Sequence, residues 1–290
     1  MKRVIIRRVH SRPPGAGQNS QASDAVPVLR VMKTADFKRF NPGMLNLGDL
    51  SLPSQEREAV TAVFDLTGFT SFCNQVDAYL AIPSFLSNFL EWFFMSVRQR
   101  LTSETRGDRT MVWAELPMKV KFMGDGLLIL WNAQQMKDDQ ICRLTVMLYD
   151  ICRAYRTDFY PRIEQTIERP PRVLRCGVAR GKVFTVGNGN DFVGHCVNNA
   201  SRLSHLHGLT FAFPHRGFPV RTHMMEDYAN LFIPKYVAVH GLSDSELVWV
   251  VRREFEALPP REQAYFRTPV QATADRPSPE QVKGNDVIRA

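Results

Sequence analysis

The sequence has no CxxC pair and no long apolar run, and its start lacks the pattern expected of a secretory leader. Its five cysteines stand singly, with no CxxC pair and no histidine at zinc spacing, which argues against disulfides and a structural zinc and favours reduced thiols. No apolar run approaches the roughly 20 residues that span a bilayer. The basic start, residues 1–8, holds an apolar stretch of three residues, whereas a secretory leader needs roughly 7–15. We therefore predict a cytoplasmic protein with no membrane partner.

Basic residues outnumber acidic residues in this sequence. The chain of 290 residues has a formal net charge of +8, which indicates a polyanionic partner. Two interpretations compete: a nucleic-acid surface, or a triphosphate site together with a basic N-terminal segment. Much of the excess lies in residues 1–13, where five basic residues face no acid: Lys2, Arg3, Arg7, Arg8 and Arg12. Because no RNP, zinc-finger or helix-turn-helix signature accompanies them, nucleic acid is the weaker interpretation.

The composition divides the chain into three regions. Residues 1–55 are predicted to form a flexible basic lead-in, residues 56–258 one folded domain, and residues 259–290 a polar C-terminal tail. Residue patterns predict strands at 59–66, 118–122, 127–131, 173–179, 183–186, 209–213, 235–239 and 247–251, and helices at 83–101, 137–168 and 196–206. Helices interleaved with adjacent antiparallel strands predict an α+β domain with one mixed sheet.

Two carboxylates are placed where strands run into glycine-containing turns. Asp65 ends the first predicted strand and precedes Gly68, while Asp125 occupies the tip of the 118–131 hairpin. An aspartate in a turn is most often ordinary turn chemistry. If the first strand lies beside the hairpin, however, both carboxylates converge at one edge of the sheet and suit Mg²⁺ or Mn²⁺ bridged to phosphates. The turn at Gly68 also exposes backbone N–H groups that suit a phosphate.

A third polar block lies downstream, in residues 175–203. On a helix beginning near Cys196, Asn198 and Arg202 are four residues apart and share a face. An isolated asparagine and arginine on a helix more commonly belong to a solvated surface. Alone, this pair predicts no particular chemistry.

Taken together, three blocks resemble the signature blocks of class III adenylyl and guanylyl cyclases. They are VFDLTGFTS at 63–71, KVKFMGDGLLILW at 119–131, and residues 175–203, in the family's order, and the similarity covers about residues 58–213. One such block would be a weak signal, whereas three in sequence are specific. The resemblance implies a class III cyclase fold with a mixed, mainly antiparallel sheet. It also implies a lyase that closes a nucleoside triphosphate into a 3′,5′-cyclic monophosphate and releases diphosphate.

The resemblance implies a metal site and a phosphate turn. Asp65 and Asp125 match the family's two metal-binding aspartates, and Leu66 matches a position that can bind metal through its carbonyl. Two divalent ions, Mn²⁺ or Mg²⁺, would occupy each site. Gly68 and Phe69 match the turn that contacts the substrate.

The other matched positions would serve the nucleotide. Lys121 and Asp191 match the two base-selecting positions, Asn198 the asparagine that orients the ribose, and Arg202 the arginine that neutralises the triphosphate. In this family the site forms between two protomers of a head-to-tail homodimer. These four residues would then act on a nucleotide whose metals bind to the partner's aspartates.

A few positions depart from the family's pattern. His195 and Cys196 replace the more usual Asn-Thr, and Asn199 takes an apolar position. The family's additional phosphate-binding lysine has no clear match, and Lys182 and Lys235 are the candidates.

The base-selecting pair restricts the nucleotide. A lysine with an aspartate argues against guanine, for which the family typically uses a glutamate with a small polar residue. A donor and an acceptor suit adenine and cytosine, and also uracil if the ring shifts by about one atom. The pair therefore excludes GTP better than it chooses among ATP, CTP and UTP. A bulky side chain in the space of a purine's second ring would select pyrimidines, and the candidates are Phe192 or an aromatic residue near the first strand.

A subfamily resemblance bears on that choice. Residues 64–77 (FDLTGFTSFCNQVD) and 89–92 (FLEW) are similar to the pyrimidine cyclases of bacterial antiphage systems. This similarity implies UTP first, CTP next and ATP third, with a separate effector that reads the cyclic product. The rival from another class is an inactive cyclase-like module that only binds a nucleotide or a partner. The presence of both aspartates, Asn198 and Arg202 argues against it.

Overall fold

The computed structural model describes residues 32–206, 208–239 and 243–269. The chain separates into two units, Met1–Leu45 and Asn46–Ala290. The described part of the first unit holds a short helix, α1 (Thr34–Phe37), and a 3₁₀ turn (Pro42–Leu45). The basic residues at the start of the predicted lead-in and most of the predicted tail lie outside the described residues.

The second unit is built on one large sheet. Its strands are β1 (Glu56–Thr67), β2 (Thr102–Arg106), β3 (Arg109–Val112), β4 (Lys119–Phe122), β5 (Gly126–Asn132), β6 (Val173–Val186), β7 (Asp191–Val193), β8 (Phe211–Pro214), β9 (Phe232–Val239), β10 (Ser243–Val251) and β11 (Phe266–Arg267). Within the described residues, nine of these strands form the large sheet in the order β11-β9-β10-β8-β6-β1-β5-β4, with β7 on β6, whereas β2 and β3 form a separate two-stranded sheet. Only the β6–β8 pair is parallel there, so the predicted mixed, mainly antiparallel α+β fold is confirmed.

Helices cover both faces of the sheet around its central strands. They are α2 (Phe69–Cys73), α3 (Ala78–Leu101), α4 (Asp138–Ala154), α5 (Tyr160–Ile163), α6 (His195–Leu203), α7 (Val220–His223), α8 (Glu226–Ala229), α9 (Arg252–Ala257) and α10 (Pro260–Gln263). On β1 the side chains of Val60, Ala62 and Phe64 belong to the core under α3 and α4, whereas Ala59 and Val63 belong to the core under α6. Alternate residues of one strand thus serve two cores.

The longest helix, α3, supplies an aromatic face to the core. Phe85, Phe89 and Phe93 are fully buried, and the ring of Phe93 lies 4.9 Å from that of Phe64 on β1. Among the described residues α3 is also long and apolar enough to cross a bilayer by length and composition alone, which was not predicted from the sequence. A buried core helix passes the same test, so the finding is weak evidence for a membrane.

Two predicted elements have different boundaries in the structure. The predicted strands 173–179 and 183–186 are one strand, β6, because its residues pair with β1 from Val173 to Phe184 without a turn. The predicted helix 137–168 is interrupted after α4 by a π turn (Tyr155–Phe159) and ends at Ile163. The π turn keeps Tyr155 and Phe159 in the core, where the Tyr155 hydroxyl donates to the carbonyl of Pro171 at 2.6 Å.

The folded domain also extends past both predicted ends. Before β1, the N–H of Gln55 donates to Thr185 Oγ1 at 2.9 Å, so the predicted lead-in is not free up to residue 55. After residue 258, strand β11 pairs with β9, and Phe266 is only 7% exposed. Its ring lies 5.5 Å from that of Phe255. One aromatic residue therefore anchors a segment whose polar composition predicted a tail.

Helix α6 depends on a glycine in β6, which gives a first prediction. A Cβ at Gly177 would lie 2.1 Å from the carbonyl oxygen of Ala200 and 2.4 Å from the backbone nitrogen of Ser204. We expect Gly177→Ala to lower the free energy of unfolding by about 1–3 kcal/mol, measured by urea denaturation, because backbone atoms must shift. Gly181→Ala in the same strand is the control, since its Cβ would meet only the side chain of Cys196, with Cβ at 3.4 Å and Sγ at 4.0 Å. Equal midpoints for the two variants would contradict the prediction.

Candidate active site

Asp65 and Asp125 meet at one end of the central sheet, as the sequence predicts. Asp65 pairs in register with Gly126, the first residue of β5, and the N–H of Leu66 donates to the carbonyl of Asp125 at 2.9 Å. A Cβ at Gly126 would lie 2.0 Å from the carbonyl oxygen of Phe64. Glycine at this position therefore lets the β4–β5 turn lie directly against β1.

The Asp65 carboxylate is placed for a cation rather than for a protein donor. Its side chain is 13% exposed, and in the described part of the chain no N–H or O–H forms a hydrogen bond with it. Burial raises the pKa of Asp65 most strongly; the charge of Asp125 raises it further, and His205 and Arg175 oppose this in part. The two carboxylates are partly buried and repel each other, and a bound divalent ion would stabilise both.

The residues present fit a divalent ion bridged to substrate. Hard carboxylate oxygens are the ligands that Mg²⁺ and Mn²⁺ prefer, and such ions complete their shells with phosphate and water. Across the described ranges no group of three or more His, Cys, Asp or Glu side chains could hold a metal by itself. Asp65 and Asp125 would therefore hold the ions together with the substrate, and the Leu66 carbonyl would add to them.

Two basic residues beside Asp65 were not assigned from the sequence. Arg175 of β6 pairs in register with Asp65, and its Nε is buried with no hydrogen-bond partner among the described residues. His205, just after α6, places Nδ1 at 3.9 Å from Asp65 Oδ2. The signal for Arg175 is a cation inside the otherwise apolar run of residues 173–179. An unpartnered guanidinium nitrogen at the carboxylate pair suits an anionic group.

The structure also joins Lys121 and Asp191, which are far apart in sequence. Lys121 Nζ donates to Asp191 Oδ2, and the N–H of Phe192 donates to Asp191 Oδ1 at 2.9 Å. Burial raises the pKa of Asp191, but these hydrogen bonds and the charges of Lys121 and Lys119 outweigh it and lower the pKa. The pair thus presents a charged donor beside a charged acceptor on one face.

Asn198 and Arg202 lie on α6, as predicted. Cys196, Ala200 and Leu203 face the sheet and are buried, whereas Asn198 is exposed and Arg202 half-buried. No hydrogen bond joins Asn198 to Asp65 or Asp125 in the described part of the chain. Arg202 is not among the charges that shift the pKa of Asp65. His205, three positions after Arg202, lies 3.9 Å from Asp65 Oδ2, so the end of α6 approaches the carboxylate pair.

Gly68 and Phe69 form the turn after β1. Gly68 has a φ of 87° and precedes the five-residue helix α2. The ring of Phe69 packs against the core, at 5.9 Å from the ring of Phe72. The side chain of Phe69 is therefore structural, and only its backbone could contact a phosphate.

The remaining candidates have other contacts. Phe192 is 8% exposed and packs in the core under α6, so the suggestion that it closes on a base is wrong.

Lys182 Nζ pairs with Glu56 at 2.7 Å, at the opposite end of β1 from Asp65. Lys235 lies 4.2 Å from the ring of Phe255 and donates to Thr268. Within this chain neither lysine reaches the carboxylate pair.

Known proteins were compared with the chain by sequence and by structure. No protein-family model matches the sequence, and no curated protein matches it. Among solved structures, the adenylyl cyclase CyaB from P. aeruginosa is similar with a TM-score of 0.50 at 18% identity, over 70% of this chain and 99% of that one. The guanylyl cyclase Cya2 is similar with a TM-score of 0.51 at 17% identity, over 69% and 94%. The chain therefore has the fold of the class III nucleotide cyclase domains.

Proposed function

We propose that the protein is a nucleotide cyclase that converts a nucleoside triphosphate into a 3′,5′-cyclic monophosphate and diphosphate. The observation that carries the proposal is the convergence of Asp65 and Asp125 beside Arg175, whose Nε has no hydrogen-bond partner among the described residues. The chain that holds these residues shares its fold with two solved cyclases. Two carboxylates with an adjacent cation suit a metal-bound triphosphate.

The chemistry assigns distinct roles to the residues. The ribose 3′-oxygen attacks the α-phosphorus, the bond to diphosphate breaks, and water accepts the 3′-hydroxyl proton. Divalent ions held by Asp65 and Asp125 would lower the pKa of that hydroxyl and stabilise the leaving oxygen. Arg175 and Arg202 supply positive charge to the phosphates, and Asn198 holds the ribose in position.

The Lys121–Asp191 pair is proposed to read the base. Asp191 stays ionised because its pKa is lowered, so it accepts a hydrogen bond while Lys121 donates one. Adenine, cytosine and, with a small shift, uracil match that pattern, and guanine does not. A wrong base would leave these partly buried groups unpaired, at a cost of ~1–3 kcal/mol per group.

Among these bases we propose a pyrimidine, UTP before CTP. The support is the similarity of residues 64–77 and 89–92 to the pyrimidine cyclases of antiphage systems. On that basis the product is a cytoplasmic second messenger in antiphage defence, read by a separate effector. The second candidate is ATP, because the same donor and acceptor also match adenine.

A homodimer with composite sites is part of the proposal. Asn198 is exposed on the outer side of α6 and makes no hydrogen bond with this chain's own carboxylate pair. A head-to-tail partner would bring its Asn198, Arg202, Lys121 and Asp191 to a nucleotide held at Asp65 and Asp125.

Competition among the four nucleotides tests the function and the base together. Purified protein is incubated with ATP, CTP, GTP and UTP at equal concentration with Mn²⁺, and the cyclic products are identified by mass. We expect cyclic UMP to predominate, followed by cyclic CMP. Predominant cyclic AMP would overturn the pyrimidine assignment and leave an adenylyl cyclase. No cyclic product at all would favour the inactive, nucleotide-binding module.

A further inference from the structure

A segment ahead of β1 is bound to the turn that precedes Asp191. We call residues 46–49 the strap and residues 187–190, between β6 and β7, the turn. The N–H of Asn188 donates to the carbonyl of Leu47 at 3.2 Å, and the N–H of Asp49 donates to Asn188 Oδ1 at 3.2 Å. Asn190 Nδ2 donates to the carbonyl of Asn46 at 3.1 Å. Three hydrogen bonds therefore join the strap to the turn.

The strap and the turn are also in steric contact. A Cβ at Gly187 would lie 1.8 Å from the carbonyl oxygen of Leu47, so the two backbones approach closer than any side chain would permit. Gly189, two residues later in the same turn, has open space where its Cβ would be. Both glycines have a positive φ, 59° and 81°. Substitutions at the two positions therefore carry similar backbone strain and differ in the contact with the strap.

The turn leads directly into the base-reading pair. β7 begins at Asp191 and is three residues long, and a strand so short is weakly fixed by its own pairing. On its other side Lys119 Nζ donates to the carbonyl of Asn190, one residue before the Lys121–Asp191 pair. The Lys121 and Asp191 side chains are 48% and 20% exposed, and an ion pair that is partly solvated does not hold a loop by itself.

We infer that the strap is a positioning element that sets the place of Asp191 against Lys121 and thereby the selectivity for the nucleobase. This inference rests on the proposed function of that pair. Base discrimination requires the Asp191 acceptor to lie within a few tenths of an ångström of its hydrogen-bonding position. The chemistry at the metals depends less directly on where Asp191 lies. Loosening the strap should therefore reduce discrimination more than turnover. Residues 46–49 do not touch the base in this account, so they are not catalytic residues.

The test compares Gly187→Ala with Gly189→Ala as the matched control. For each variant kcat/KM is measured with UTP, CTP and ATP, and amide hydrogen exchange is followed in peptides covering 46–49 and 187–193. We expect Gly187→Ala to lose roughly 10-fold in the ratio of kcat/KM between the best and second-best nucleotide, with kcat for the best one changing less. Exchange should become faster in both peptides. Gly189→Ala should keep the wild-type ratio and the wild-type exchange.

A second variant separates the contact from any folding defect. Asn190→Ala removes the hydrogen bond to the carbonyl of Asn46 without adding atoms, and it should shift the selectivity ratio in the same direction by a smaller factor. An unchanged ratio in both Gly187→Ala and Asn190→Ala, with faster exchange, would overturn the inference. A wild type that cyclises none of the nucleotides would instead overturn the proposed function and the selectivity claim with it. Exchange in the Gly187→Ala variant would then still decide whether the strap holds the turn.

Discussion

Asp65→Asn and Asp125→Asn are each expected to reduce cyclisation by ~10³-fold or more, with the fold intact. A carboxylate that holds a divalent ion contributes several kcal/mol to the charge that develops in the transition state, and about 4 kcal/mol corresponds to that factor. Asparagine keeps the shape of the side chain but removes the charge and replaces one carboxylate oxygen by an NH₂ group. Product formation in Mn²⁺ measures the loss, and circular dichroism checks the fold.

The same substitution should stabilise the protein when no metal is present. Burial and Asp125 raise the pKa of Asp65 above its ordinary value of 3.8, so the ionised form is disfavoured in the folded state. Its neutral form favours folding below that value, and this contribution is lost as the pH rises through the raised pKa. In EDTA at neutral pH, Asp65→Asn should therefore have a higher melting temperature than the wild type. At a pH below 3.8 the difference should disappear.

Asp139→Asn is the matched control for both measurements. Asp139 is exposed in the first turn of α4 and faces neither the carboxylates nor Arg175. It should retain wild-type turnover and a melting temperature close to that of the wild type. Near-wild-type cyclisation by Asp65→Asn in Mn²⁺ would remove the metal assignment, and a lower melting temperature in EDTA would show that the carboxylate serves the fold instead.

The sequence was most informative where periodicity and turn chemistry agree. The β4–β5 hairpin and the aromatic stripe of α3 follow directly from their residue patterns. The convergence of Asp65 with Asp125 was predicted on the condition that the first strand lies beside the hairpin, and β1 does pair with β5. The path of β6 was missed because Arg180, Gly181 and Lys182 have the composition of a turn. In the structure Gly181 instead lies beside Cys196 of α6, whose Cβ would be 3.4 Å from a Cβ added at this glycine.

Local sequence patterns did not predict the contacts between segments that are distant in the sequence. Lys121 and Asp191 could be paired only through the family resemblance, because β7 is too short to be read from periodicity. Arg175 was passed over since it is the one cation in the run of residues 173–179, and a single cation gives no spacing to compare. The strap lies in a stretch whose glycine and asparagine content predicts a flexible segment. Its order comes from hydrogen bonds to residues about 140 positions away, as between Asp49 and Asn188.

Mixing two inactive variants should restore activity if the site is shared between protomers. In a head-to-tail dimer, Asp65→Asn damages the metal half of one site and Arg202→Ala damages the phosphate half. A heterodimer of the two therefore has one site with both lesions and one site built from intact halves. Random exchange at equal amounts makes half of the dimers heterodimers, so we expect about a quarter of the wild-type rate. The rate is measured after subunit exchange, which differently tagged protomers verify by co-purification.

The control for complementation is a mixture in which both lesions lie in the same half. Asp65→Asn mixed with Asp125→Asn should recover nothing, because every site in every dimer then has a damaged metal half. Recovery in the first mixture and not in the second assigns the carboxylates to one protomer and Arg202 to its partner. No recovery in the first mixture, with exchange verified, would show that each protomer builds its own site. In that case Arg202 would act at the carboxylates of its own chain, and the composite dimer would be wrong.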